Sequence, residues 1–167
     1  MSNSSRTSTA RPVIREVRED ALPVLVVIAS ETLEHHVRAS GGDPSLFTVD
    51  FLRSTLRETR VLVAEVDGEV VGYLQYQLKP PKIIFNGAAF RPAWQRRGFG
   101  SKLFAHAVSN AHAANCSTVI ISVQPSNEEV YMLYQRLGFA EGENPSGWNR
   151  EMSMSMEKVL EFLGKRQ

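Results

Sequence analysis

Hydrophobic and polar positions change period several times along the chain, and each change marks an element. Val13 to Val17 alternates apolar with charged side chains, the two-residue period of a half-exposed strand. Asp20 then precedes an apolar segment running to about Ala39, which predicts a helix closed by Gly41-Gly42-Asp43-Pro44. A second helix is predicted from about Asp50 to Glu58, with Thr48 or Asp50 as N-cap and Phe51, Leu52 and Leu56 on its buried side. The period then drops to that of strands. Val61 to Val66 and Val70 to Tyr76 flank Asp67-Gly68, a strong two-residue hairpin signal. Lys82 to Phe90 reads as another strand, entered through Pro80-Pro81, and Asn86-Gly87 inside it marks a bulge or a close approach of a ligand.

From Gly98 to Ala114 the residues Leu103, Phe104, Ala107, Val108 and Ala111 fall on one helical stripe. Thr118 to Val123 is β-branched enough to be a fully buried strand. Asn127 to Leu137 is helical, with Val130, Leu133, Tyr134 and Leu137 on one face and Gly138 as its stop. Trp148 to Met156 alternates as a last strand. Strand, helix and strand around Gly98 imply a locally parallel pair, whereas the Asp-Gly hairpin implies an antiparallel one. The fold class is therefore α/β in the α+β sense: a mixed, mostly antiparallel sheet with helices on both faces.

Composition adds bounds rather than detail. A chain of 167 residues with 43% hydrophobic side chains suits one domain, here residues 12–167, behind a Ser/Thr-rich disordered tail at 1–11. Cys116 is the sole cysteine, so no disulfide can close within the chain, and a reducing, cytoplasmic setting is expected. The longest apolar run, Ala21 to Ala29, contains Pro23 and falls short of the roughly 18 residues of a membrane span. No membrane partner is expected.

Charge points to chemistry. After Glu69 no Asp or Glu occurs until Glu128, while the interval holds Lys79, Lys82, Arg91, Arg96, Arg97 and Lys102. At its centre lies Gln95-Arg96-Arg97-Gly98-Phe99-Gly100-Ser101, two glycines opening a helix. Free backbone N–H groups and the positive end of the helix dipole favour phosphate there, and glycine lets the ligand approach the backbone. Nucleic acid is a poor fit: the net charge is only +1, the pI is 7.9 and no basic run is present. A dinucleotide fingerprint would need a third glycine where Leu103 stands and an acid on the next strand.

These residues resemble the GNAT superfamily of N-acetyltransferases. Its pyrophosphate loop, [RQ]-x-x-G-x-[GA], is met by Gln95, Gly98 and Gly100 after Phe90-Arg91-Pro92; its helix motif is met by Asn127, Val130, Leu133, Tyr134, Arg136, Gly138 and Phe139. The resemblance runs from about Val13 to Met156. It implies a GNAT-like fold with the parallel pair at the coenzyme site, and acetyl-CoA as co-substrate with no metal. It implies Ala88 and Phe90 backbone groups along the pantetheine and thioester, with the Phe90 N–H as oxyanion donor. Arg96, Arg97, Gly98, Phe99, Gly100 and Ser101 would cradle the pyrophosphate while Gln95 caps the loop. Asn127 would hold the coenzyme or order its helix, and Tyr134 would protonate the departing thiolate, as a phenol with pKa near 10 can.

The implied activity is acetyl transfer from acetyl-CoA to a primary amine of a small molecule or peptide. The alternative is a non-catalytic acyl-CoA-binding module of the same fold, against which retention of Tyr134 speaks. The general base stays open between Glu65, His35 or His36, and loss of the amine's proton to bulk water. Glu31, Glu34 and Asp43 could attract a cationic amine. A homodimer is expected through Trp148, Met152, Met154 and Met156.

Overall fold

The computed structural model describes residues 11–39, 41–142 and 149–164, with the backbone alone for Leu33 and His36. The Ser/Thr-rich start, Trp148 and the His36 side chain thus lie outside the described residues. Strand β1 (Val13–Glu16) leads through a 3₁₀ turn at Glu19–Ala21 into α1 (Leu22–Ala39). After a second 3₁₀ turn at Pro44–Leu46 comes α2 (Val49–Thr55), whose N-cap is Thr48: its hydroxyl accepts from the Phe51 N–H. Strands β2 (Arg60–Val66) and β3 (Glu69–Lys79) form the expected hairpin. Asp67 and Gly68 have φ of 53° and 82°, the left-handed pair that an Asp-Gly turn supplies. Strand β4 (Lys82–Phe90), α3 (Phe99–Ala113), β5 (Thr118–Val123) and α4 (Glu128–Arg136) follow, then β6 (Ala140–Glu141), β7 (Arg150–Ser155) and α5 (Met156–Gly164).

The sheet order is β1-β2-β3-β4-β5-β7-β6, and β4 with β5 is its one parallel pair among the described residues. Alternation along β2 explains the two layers. Leu62, Ala64 and Val66 point to a core shared with Leu103, Ala107 and Ala111 of α3, Tyr131 of α4 and Val159 of α5. Val61 and Val63 point the other way, to Leu25 and Ile28 of α1 and Leu52 of α2. Helices thus cover both faces.

Several sequence expectations need correction. Phe51 is 47% exposed, and the buried residue of α2 is Leu52 alone. Leu133 is 49% exposed; α4 instead buries Tyr131, whose hydroxyl donates to Glu141 at 3.0 Å beneath an Arg150 guanidinium 3.5 Å above the ring. Strand β5 buries only Val119, Ile121 and Val123, because α1 and α2 cover the other face over β2 to β4 and leave β5 half open. Met156 starts a helix rather than ending a strand, with the Ser155 hydroxyl accepting from the Lys158 N–H at 3.3 Å. Met152, Met154 and Met156 are all buried under α3 and α5, so they offer no surface for a dimer.

Candidate active site

A bulge opens the site. Gln75 pairs with Gly87 but Tyr76 pairs with Phe85, so Asn86 is an extra residue in β4. Parallel pairing with β5 runs from Lys82 to Phe85 and stops at that residue, while pairing with β3 continues to Phe90. The two parallel strands therefore part beyond Phe85. The Arg91 N–H donates to the Val71 carbonyl at 2.9 Å, which fixes the alternation: Arg91 and Ala89 face β3, and the N–H groups of Ala88 and Phe90 face the opening. The Phe90 carbonyl faces it too, and accepts from the Gln95 side-chain amide at 2.9 Å. Gly72 holds this end in place. It lies opposite Phe90, and a Cβ there would come within 2.1 Å of the Phe90 ring.

The chain leaves Phe90 through a 3₁₀ turn at Pro92–Trp94 and enters α3 at Gly98. Arg96 and Gly98 have φ of 62° and 81°, a left-handed alternation that turns successive N–H groups toward one concave side. The N–H groups of Phe99, Gly100 and Ser101 have no acceptor within the helix, and Lys102 is the first to bond back, to the Gly98 carbonyl at 3.2 Å. No side chain caps this N-terminus. It is a helix start left ready for an anion. The Arg97 guanidinium lies 4.8 Å over the Trp94 ring, which stacks on Phe99 at 5.7 Å, so the three side chains brace the loop together.

A cleft of about 400 Å³ gathers Ala88, Phe90, Gln95, Arg96, Gly98, Phe99, Gly100 and Asn127 from the sequence-predicted set. The Asn127 side chain also caps α4, accepting from the Val130 N–H at 3.3 Å. A second, apolar chamber of about 190 Å³ adjoins the cleft; Ala88 and Gly100 line both. Ser101 and Tyr134 line this chamber, together with Phe104, Leu137 and the α5 residues Phe162 and Leu163. Burial raises the Tyr134 hydroxyl above its ordinary pKa, so it holds its proton throughout the physiological range. Its ring is set by an edge-on contact with Phe139 at 5.6 Å.

Glu65 is not brought to the cleft. It is ion-paired with Arg15 across β1 and β2, and that partner holds its carboxyl below the usual range. His35 is exposed on α1 and does not line the cleft. Sequence reasoning missed Thr32, Trp94 and Glu129, which do. Trp94 sits one residue before the loop motif and Glu129 two after Asn127, so proximity to the motifs could have found both; Thr32 carried no local signal.

The two parallel strands thus part beside an uncapped glycine helix start, a backbone arrangement that suits an anion. The acetyltransferase (GNAT) family model matches residues 29–139, and the chain belongs to that family. It is 32% identical over 111 residues to an N-alpha-acetyltransferase of Sulfurisphaera tokodaii, covering 59% of this chain and 65% of that one. Over 78 residues it is 30% identical to the spore coat polysaccharide biosynthesis protein SpsD of Bacillus subtilis, covering 47% of this chain and 27% of that one. The aligned part thus spans less than two thirds of either relative. Among solved structures, the PaiA N-acetyltransferase of Thermoplasma acidophilum in complex with coenzyme A superposes with a TM-score of 0.71 at 16% identity, covering 87% of this chain and 99% of that one. The ribosomal-protein-S18-alanine N-acetyltransferase of Escherichia coli gives 0.68 at 17% identity over 87% and 94%. These two likenesses establish the fold.

Proposed function

We propose that the protein transfers an acetyl group from acetyl-CoA to a primary amine of a small molecule or peptide. The observation that carries this reading is the Asn86 bulge: it turns the N–H groups of Ala88 and Phe90 into the same opening that receives the uncapped start of α3. The residues fit the co-substrate. Arg96 and the N–H groups of Phe99, Gly100 and Ser101 suit the pyrophosphate, and the strand edge at Ala88 and Phe90 suits the amides of a pantetheine arm.

Acetyl-CoA supplies an acyl carbon already activated as a thioester. Within this reading the Phe90 N–H stabilises negative charge on the acyl oxygen. Donors of that kind are worth roughly 10²- to 10³-fold in rate. Tyr134 gives its proton to the departing sulfur from the apolar chamber that it lines with Phe104 and Leu137. A cytoplasmic location belongs to the same proposal and rests on the single cysteine. The test is thiol release from acetyl-CoA across a panel of amines, beside calorimetry with CoA. Turnover of any amine supports transfer; CoA binding with no thiol release across the panel would leave a coenzyme-binding module.

A further inference from the structure

The cleft divides by hydrogen-bonding sense. Its loop side, lined by Arg96 and Gly98, presents the helix-start N–H donors, whereas two other lining residues present acceptors. The Thr32 hydroxyl on α1 gives its hydrogen to the Ile28 carbonyl at 2.7 Å, so it has only lone pairs to offer the cleft. Glu129 is the one carboxylate lining the cleft among the described residues, and it has no hydrogen-bond or ion-pair partner there. Its neighbour Glu128 is turned to Arg150, 3.8 Å away. Glu129 is exposed, and a carboxylate lining the same cleft as a phosphate cradle favours a cation on its side of the cleft.

We infer that Thr32 and Glu129 seat the acceptor, and that the acceptor enters as an alkylammonium rather than as a neutral arylamine. The inference rests on the transferase reading above. The ammonium gives its first proton to Glu129, which passes it to water. The freed lone pair forms the C–N bond as the C–S bond breaks, and the sulfur takes the Tyr134 proton. The nitrogen's second proton returns to Tyr134 through water, leaving an amide, a thiol and one released proton.

The test compares 1,4-diaminobutane, a short peptide with a free N-terminus and aniline as acceptors for the wild type, Glu129→Gln, Glu129→Asp, Thr32→Val and Thr32→Ser. The wild type should use an alkylammonium acceptor and not aniline, and the better of the diamine and the peptide identifies its source. Glu129→Gln should lower kcat/KM at least tenfold with Glu129→Asp restoring part of it; Thr32→Val should raise KM severalfold with Thr32→Ser close to wild type. Acetyl-CoA affinity should not fall in any of the four. Wild-type kinetics in Glu129→Gln, or a preference for aniline, would overturn the inference. If no amine turns over, the transferase reading fails separately. The same diamine and peptide titrated into CoA-saturated protein then decide the seat: binding lost in Glu129→Gln sustains it, and no binding by either overturns it.

Discussion

Gly98 and Gly100 stand two residues apart in the loop, yet alanine at each should act in opposite directions on stability. Gly98 has φ of 81°, and a Cβ there would meet no atom within 4 Å, so its requirement is conformational rather than steric. Forcing an L-residue into the left-handed region costs about 1–2 kcal/mol. Gly98→Ala should therefore lower Tm by about 2–8 °C in a chain of this size. Gly100 is already helical, and its Cβ would make only an ordinary contact with the Phe90 ring at 3.5 Å. Gly100→Ala removes backbone freedom from the unfolded chain and should stabilise by up to about 1 kcal/mol. Its methyl would stand in the wall shared by the cleft and the apolar chamber, where the ligand backbone has to pass. CoA affinity should fall at least about tenfold, or 1.4 kcal/mol, in both variants. Thermal unfolding of the free protein and calorimetry with CoA read the two quantities independently. Unchanged CoA affinity in both variants would refute the pyrophosphate assignment, and an unchanged Tm for Gly98→Ala would refute the strain argument.

Gly72→Ala should cost about 1–3 kcal/mol by denaturant unfolding, because its Cβ would overlap the Phe90 ring and force it off the sheet; wild-type stability in that variant would mean that the ring swings away freely. Tyr134→Phe keeps the ring contact with Phe139 and should leave CoA affinity intact while lowering kcat about 10²- to 10⁴-fold, and a wild-type rate with thiol release shown to be limiting would assign Tyr134 to packing alone. Arg15 depresses the folded-state pKa of Glu65, so the pair stabilises fully above the unfolded carboxyl value of about 4.3 and loses that contribution as pH falls through the lower folded value. The gap in urea midpoint between wild type and Glu65→Gln should then be wide at pH about 7 and narrow at pH about 3, and a gap that does not narrow would contradict it.

Where a local rule decides, the sequence was legible. Asp67-Gly68 can make a tight hairpin with φ above zero at both positions, and it does. Asn86-Gly87 was readable as a bulge because a small residue in a β-branched strand has few other uses, and the register shift falls there. The errors arose where tertiary cover decides. Phe51 and Leu133 are exposed and one face of β5 is only half-buried because too little lies over them, and residue type alone does not report that. Helix α5 was missed although Val159, Leu160 and Leu163 repeat at helical spacing, since Met152, Met154 and Met156 continued the two-residue period across the boundary.

The site divides along the same line. The donor half is built from one continuous stretch, Phe90 to Lys102, in which each requirement is local: a bulge upstream, left-handed Arg96 and Gly98, and free N–H groups at the start of α3. A ligand that touches one stretch of backbone leaves its pattern in one stretch of sequence. The acceptor half proposed above draws on Thr32 of α1 and Glu129 of α4, residues far apart in sequence that line one cleft. Thr32 reads as an ordinary helix residue and Glu129 as a helix-start charge. The same physics misplaced Glu65: it lies close to the hairpin turn that leads toward the cleft strands, but β3 stands between its strand and β4, and Arg15 occupies its carboxylate. Charge near a site in sequence becomes chemistry only when the fold leaves it unpaired, and among the described residues lining the cleft Glu129 is the carboxylate so left.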